Sequence, residues 1–182
     1  KQKLINEVVK ITGEKTTKWI GIAPFAAFES KTYPLDLLEQ VIEQMSIKGY
    51  QLFLFGGKAD SVTLEPLANR FNNVNNVAGK LGGIKNELNL ISNLDVMLSM
   101  DSGNAHFSAM LGIKTITLWG GTHPFAGFTP FNQPKDYCIL PDLKKYPNLP
   151  CSVYGNKICK GYEDVMRSIP PEKVIEKIVS VI

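Results

Sequence analysis

The sequence predicts an α/β protein with a Rossmann-like, doubly wound parallel sheet. Short apolar segments of strand length alternate with segments whose apolar residues recur at helical spacing, a pattern typical of βαβ units. Small or polar residues follow directly after each predicted strand. Right-handed crossovers bring the carboxyl ends of parallel strands to one edge of the sheet, where ligands bind in open α/β sheets. The sequence therefore predicts a ligand site at that edge.

The individual elements follow from the apolar periodicity. In the helix predicted at 84–92, the residues Ile84, Leu88 and Ile91 would form the apolar face. The proline-rich segment 125–150 is expected to be an ordered surface excursion. Strands are expected at residues 18–24, 51–55, 74–78, 96–100 and 115–119, with 137–140 as a short further candidate. Helices are expected at residues 1–10, 34–48, 61–71 and 84–92, after the turn at 101–103, and at 172–182.

Composition limits the classes of function. With 182 residues, 44% of them hydrophobic, the chain should form one domain that buries roughly 70% of its unfolded surface. A net charge of +3 without a dense run of Lys and Arg does not indicate a nucleic-acid surface, but it suits an anionic small ligand. No apolar span of membrane length and no signal peptide is evident, so we expect a soluble protein.

The few cysteines and histidines argue against a metal site. The three cysteines show no paired CxxC spacing, and the whole chain has only two histidines. The spacing of Cys151 and Cys159 permits a disulfide, but reduced thiols are expected in a cytosolic protein.

The strongest candidate site is the turn that joins the strand at 96–100 to the next helix. The first N–H groups of that helix lack intrahelical partners and lie at the positive end of its dipole, so they could hold a phosphate. Gly103 would let a ligand approach the backbone closely. Asp101 and Ser102 are also good N-cap residues, so a simple capped helix is the competing interpretation.

The other predicted strands end in similar clusters, whose residues are Lys31, Gly56-Gly57-Lys58, Gly79-Lys80-Leu81 and Gly120-Gly121-Thr122. Tight turns and solvated lysines are the competing interpretation for these clusters. His106, one turn into the helix, is expected to be a structural hydrogen-bonding group that has a smaller chance of contacting phosphate.

Two motifs resemble the family 9 glycosyltransferases, the lipopolysaccharide heptosyltransferases. The first is the Asp-Ser-Gly-x-x-His string at 101–106, followed by a small-residue helix and by the Gly-Gly-Thr-His-Pro string at 120–124. The second is the loop from Pro24, in which Lys31 lies two residues ahead of an aromatic-proline pair. The resemblance covers about residues 19–182.

This resemblance implies the C-terminal half of a B-type glycosyltransferase fold. Residues 1–17 would be a connector helix and 18–182 the nucleotide-sugar donor domain, while the acceptor domain and its general base would lie outside this chain. The family transfers heptose from ADP-heptose to a glycolipid acceptor of the lipopolysaccharide core, with inversion, without a metal and with no cofactor beyond the substrate. The implied location is cytoplasmic, at the inner face of the inner membrane. The isolated domain would bind nucleotide and transfer nothing.

By position, the resemblance assigns catalytic roles to two residues. Lys31 would neutralise the diphosphate or contact the donor sugar, and Asp101 would accept hydrogen bonds from sugar hydroxyls. The residues assigned to the donor nucleotide are Ser102, Gly103, Gly56, Gly57, Lys58, Lys80, Leu81, His106, Gly120 and Thr122.

The chain departs from the family at two places. Ala26 and Ala27 replace hydroxyl residues ahead of the lysine, and Lys58 replaces a glutamate after the second strand, where Asp60 could substitute. A non-catalytic nucleotide-binding or partner-binding module and a nucleotide-sugar epimerase therefore remain as alternatives. A dinucleotide-dependent dehydrogenase is disfavoured because no GxGxxG loop follows the first strand.

Overall fold

The computed structural model describes residues 2–182 and contains a six-stranded, fully parallel sheet. The strand order is β3-β2-β1-β4-β5-β6, so the prediction of a Rossmann-like doubly wound fold is confirmed. The strands are β1 (Trp19–Ala23), β2 (Gln51–Leu54), β3 (Val74–Asn76), β4 (Val96–Met100), β5 (Lys114–Leu118) and β6 (Cys138–Ile139). The helices are α1 (Asn6–Thr12), α2 (Leu35–Ile47), α3 (Ser61–Ala68), α4 (Ile84–Ile91), α5 (Gly103–Met110) and α6 (Pro171–Val181).

The core has two parts, one on each face of the sheet. Side chains of a strand point alternately to the two faces, so Leu52 and Leu54 of β2 belong to one part and Phe53 to the other. Helices α2, α3 and α6 cover the larger part, while α1 and α4 cover the smaller one. Among residues 2–182, no helix combines the length and the apolar character that crossing a lipid bilayer requires.

Several element boundaries differ from the predictions. The first helix spans Asn6–Thr12 instead of 1–10, and residue 1 lies outside the described residues. Pro34 has an extended ψ of 131° and precedes α2, which begins at Leu35. Helix α3 ends at Ala68 rather than at residue 71.

The predicted apolar face of α4 is right at Ile91 and wrong at Ile84. Ile84 is 53% exposed, whereas Leu90 and Ile91 are fully buried and belong to the smaller part of the core. The helix is held in this rotation by Asn89, whose amide side chain accepts a hydrogen bond from the Ile5 N–H and donates one to the Lys3 carbonyl. The buried face of α4 is therefore formed by Asn89, Leu90 and Ile91.

The excursion between β5 and α6 is ordered and contains a disulfide. Cys151 and Cys159 are bonded to each other, so the expectation of reduced thiols is wrong for this pair, and Cys138 is free. Their Cα atoms lie 5.2 Å apart, within the usual disulfide range. The Cys151 N–H donates to the Gly121 carbonyl, and this hydrogen bond fixes the loop against the end of β5.

Candidate functional site

The carboxyl ends of β1, β2 and β4 open into a cavity of about 460 Å³, here called the switch-point cavity. Strands β1 and β4 are neighbours in the sheet although β2 and β3 lie between them in sequence. In doubly wound sheets such a reversal of strand order is where ligands bind. The lining residues come from the strand ends, from α4 and from the start of α5: Ala23, Phe25, Ala26, Ala27, Phe55, Gly56, Gly57, Asp60, Glu87, Ser102, Gly103, Asn104 and Phe107.

The N-terminus of α5 opens into this cavity without a side-chain cap. Ser102 occupies the N-cap position but makes no capping hydrogen bond, and its Oγ lies 3.0 Å from the Oγ of Ser99. The first turn of α5 carries no acidic residue. Ser102 therefore holds the expected N-cap position, but neither it nor Asp101 caps the helix with its side chain, and the positive end of α5 is open to an anion.

Lys31 and Asp101, which are 70 residues apart in sequence, form an ion pair beside the cavity. Lys31 Nζ lies 3.2 Å from Asp101 Oδ2, and the two side chains are only 12% and 6% exposed. The hydroxyl of Thr122, which is fully buried, donates to the same oxygen at 3.1 Å. The loops after β1, β4 and β5 thus each contribute one member of a hydrogen-bonded group.

The disulfide-closed loop 151–159 covers the lysine. The Oγ of Ser30 donates to the Gly155 carbonyl at 2.5 Å, and the Gly121 N–H donates to the Ser30 carbonyl at 2.9 Å. Gly155 has φ +81°, and a Cβ atom built there would lie 2.6 Å from both Cγ and Cδ of Lys31. Only glycine suits this position, since the residue needs both the left-handed backbone and the missing side chain.

The ion pair lies between the switch-point cavity and a second cavity of about 710 Å³. Ser30 and Thr32, the neighbours of Lys31, line the second cavity, whereas Ser102, the neighbour of Asp101, lines the first. Phe25 lines both cavities. Neither Lys31 nor Asp101 lines either cavity.

Two further residues predicted for the site, Gly56 and Gly57, line the switch-point cavity. The Gly57 N–H donates to Asp60 Oδ2 at 2.8 Å, so Asp60 shapes this loop. A Cβ on Gly56 would come within 2.9 Å of Asp60, which shows how closely the turn is packed.

The other predicted residues lie outside the cavity lining, each for an identifiable reason. Lys80 Nζ pairs with Glu65 at 2.5 Å, and this contact lowers the pKa of the Glu65 carboxyl. Leu81 is only 6% exposed and packs in the smaller part of the core. Gly120 packs closely against Met166 and the Ser30 carbonyl. Lys58 is exposed, His106 is partly buried on α5, and Thr122 contacts Asp101 rather than the cavity.

Glu87, Asn104 and Phe107 are among the lining residues that sequence reasoning did not assign to the site. Burial raises the pKa of the Glu87 carboxyl above its usual range. Glu87 stands three and four residues before Leu90 and Ile91, so it shares their helix face. That spacing is visible in the sequence, but the competing Ile84–Leu88–Ile91 pattern concealed it.

No metal centre is evident in the part of the chain that the structure describes, where no three side chains of His, Cys, Asp or Glu converge. His123, the second histidine, uses Nδ1 to accept the Phe125 N–H, and burial lowers its pKa.

Comparison with known proteins agrees with this architecture. Residues 3–157 match the family model described as glycosyltransferase family 9 (heptosyltransferase). A lipooligosaccharide heptosyltransferase 2 from Campylobacter jejuni is 28% identical over 185 aligned residues, covering 98% of this chain and 55% of the relative. The chain therefore spans about half the length of the curated relatives it matches.

Two solved structures share the fold. An E. coli ADP-heptose lps heptosyltransferase II matches with a TM-score of 0.74 at 20% identity, over 96% of this chain and 49% of that one. The E. coli heptosyltransferase WaaC with ADP matches with a TM-score of 0.66 at 16% identity, over 90% of this chain and 44% of that one.

Proposed function

Because the chain belongs to glycosyltransferase family 9, we propose that it forms the donor-binding part of an enzyme that transfers heptose from ADP-heptose. The observation that carries the proposal is the uncapped N-terminus of α5, open to the switch-point cavity next to the Lys31–Asp101 pair. The cavity volume, about 460 Å³, suits a nucleotide, and the uncapped amides suit its diphosphate.

In the proposed mechanism the N–H groups of Ser102 and Gly103 hold the diphosphate. Lys31 Nζ has three donors, so it can keep its contact with Asp101 and still donate to the donor substrate. Asp101 accepts hydrogen bonds from hydroxyls of the sugar. As the bond between the sugar and the nucleoside diphosphate breaks, negative charge grows on the leaving group, where fixed amides and a cation stabilise it without a metal.

The remaining steps are assigned to a second domain. That domain would bind a glycolipid acceptor, of the lipopolysaccharide core or a related glycan, at the cytoplasmic face of the inner membrane. Its general base would remove the acceptor proton while the acceptor oxygen attacks the face opposite the leaving group, so that the configuration inverts. Residues 1–17 would connect the two domains.

Titration calorimetry with ADP tests the donor site. The chain should bind ADP, and Lys31→Ala should weaken binding by about tenfold or more because a charge-assisted hydrogen bond is lost. Lys48→Ala is the matched control, since it removes an exposed lysine just after the C-terminal end of α2. Absence of ADP binding, or equal affinity in the two variants, would contradict the proposal.

A transfer assay tests the second step. The 182-residue chain with ADP-heptose and acceptor should give no product, whereas a protein carrying both domains should transfer. A two-domain protein that binds ADP-heptose and transfers nothing would instead support a non-catalytic nucleotide-binding module. The cavity positions of Ala26 and Ala27, which lack the expected hydroxyls, favour that second candidate.

A further inference from the structure

Glu87 places a carboxylate on the wall of the switch-point cavity. Its side chain makes no hydrogen bond or ion pair with any of residues 2–182, whereas Asp60, the other carboxylate of the lining, accepts the Gly57 N–H. The side chain is partly buried, and this burial raises its pKa. Glu87 thus presents a partly buried carboxylate on the cavity wall, and that carboxylate has no partner among residues 2–182.

The fold holds Glu87 in this position at a cost. Partial burial of a carboxylate that has no partner disfavours its charged form, and a fully exposed position would avoid that cost. Helix α4 cannot rotate to bring Glu87 to the surface. Asn89 is hydrogen-bonded to the N-terminal segment, and Leu90 and Ile91 are buried in the core. A carboxylate held unpaired in a cavity is typical of a binding site rather than of a structural position.

The surrounding chemistry restricts which part of a ligand Glu87 contacts. The amides of Ser102 and Gly103 select the anionic part, and a carboxylate repels phosphate. Glu87 therefore lies against a part of the ligand that donates hydrogen bonds. In a nucleoside diphosphate those donors are the ribose hydroxyls and the exocyclic amine of the base.

We propose that Glu87 accepts a hydrogen bond from the nucleoside of the donor substrate and so distinguishes a nucleoside diphosphate from other diphosphates. This assignment rests on the proposed function of the cavity. It adds an element, α4, that the sequence motifs did not implicate, and it makes Glu87 a specificity-determining residue of the same cavity that the α5 amides line.

Calorimetry with two ligands tests the assignment. Glu87→Ala should weaken ADP binding by about tenfold or more, because a hydrogen bond to a charged acceptor is lost, and should leave inorganic pyrophosphate binding unchanged. Glu87→Gln, which keeps an acceptor oxygen but removes the charge, should fall between the parent and Glu87→Ala. Glu43→Gln removes an exposed carboxylate on α2 and serves as the matched control.

Nucleotide analogues identify the donor group. If a ribose hydroxyl is the partner, 2′-deoxy- or 3′-deoxy-ADP should bind the parent and Glu87→Ala equally; if the base amine is the partner, inosine diphosphate should do so. Equal ADP affinity in the parent and Glu87→Ala would overturn the assignment and leave the proposed function intact. An equal loss for ADP and pyrophosphate would also overturn it, since that is the result of a distorted cavity. A parent that binds no ADP would remove the proposed function and this assignment together.

Discussion

The switch-point cavity and the Lys31–Asp101 pair are neighbours, but they differ in whether their polar groups have hydrogen-bond partners within the chain. The cavity leaves the start of α5 uncapped and Glu87 without a partner among the described residues. In the ion pair, by contrast, the Asp101 carboxylate has partners within the fold. The Lys31 ammonium and the Thr122 hydroxyl both donate to its Oδ2 atom. In the proposed function this difference separates two roles: the groups without partners would contact the ligand, and the ion pair would hold a positive charge in place beside it.

The largest expected effect on stability comes from breaking the Lys31–Asp101 pair. Asp101→Ala leaves the Lys31 ammonium buried without a counter-charge, so the free energy of unfolding should fall by about 3 kcal/mol in urea denaturation. Asp36→Ala is the matched control, since it breaks the exposed pair with Arg167 and should cost much less. Equal losses in the two variants would show that the Lys31–Asp101 pair is not held in a low-dielectric setting.

The second-largest expected loss of stability comes from a substitution in the loop that covers Lys31. Gly155→Ala should lower the free energy of unfolding by about 2 kcal/mol, because the new Cβ meets both a left-handed backbone and the Lys31 side chain. In Gly161→Ala the φ angle is almost the same, +82°, but nothing lies within 4 Å of the new atom. The control should therefore show only the backbone cost, about 1 kcal/mol, in the same denaturation experiment. If Gly155→Ala costs no more than the control, the loop does not pack on the lysine.

Tyr33, two residues after Lys31, links the first loop to the segment just before α6. Its hydroxyl is buried and donates to the Ile169 carbonyl at 2.7 Å, and burial raises the pKa of the phenol above its usual range. Tyr33→Phe should cost about 1 kcal/mol in thermal or urea unfolding because that carbonyl loses its donor. Tyr154→Phe, at a residue that is 63% exposed, should be nearly neutral. A neutral Tyr33→Phe would mean that water replaces the hydroxyl.

The smallest expected effect is a gain in stability, and it comes from replacing Glu87 in the switch-point cavity. The pKa of Glu87 is raised in the fold, so wild-type protein loses stability relative to Glu87→Gln as the pH rises through that pKa. Below the ordinary glutamate pKa both states are protonated, and the two proteins should unfold alike. Melting temperatures at pH 4 and pH 8 should therefore differ only at pH 8, with the variant more stable. A variant less stable than wild type at pH 8 would indicate a hidden partner for the carboxylate.

The sequence predicted the parts that depend on local pattern. Buried strands such as 96–100 and the glycine turns after them are recognisable from composition alone, and crossover rules place their carboxyl ends at one edge of the sheet. The strand order itself was not predicted. The position of Lys31 and Asp101 at one edge was predicted in the same way, and the structure brings them within 3.2 Å.

What the sequence did not predict depends on long-range contacts. The rotation of α4, and with it the inward position of Glu87, follows from hydrogen bonds between Asn89 and residues more than 80 positions away. The contact of Thr122 with Asp101 depends on the pairing of β5 beside β4. The cover that Gly155 gives to Lys31 comes from the excursion folding back over the first loop. Leu81 was predicted to contact the nucleotide because it follows β3 in a glycine-rich cluster, but its side chain is buried in the core.

The central claim is that a diphosphate binds the amides at the start of α5. Backbone amide resonances recorded by NMR during addition of ADP test it directly. The account predicts that Ser102 and Gly103 show the largest shifts and that residues 163–167, which line the second cavity, stay unchanged. Unchanged resonances at Ser102 and Gly103 with ADP bound, or shifts concentrated at 163–167, would contradict it.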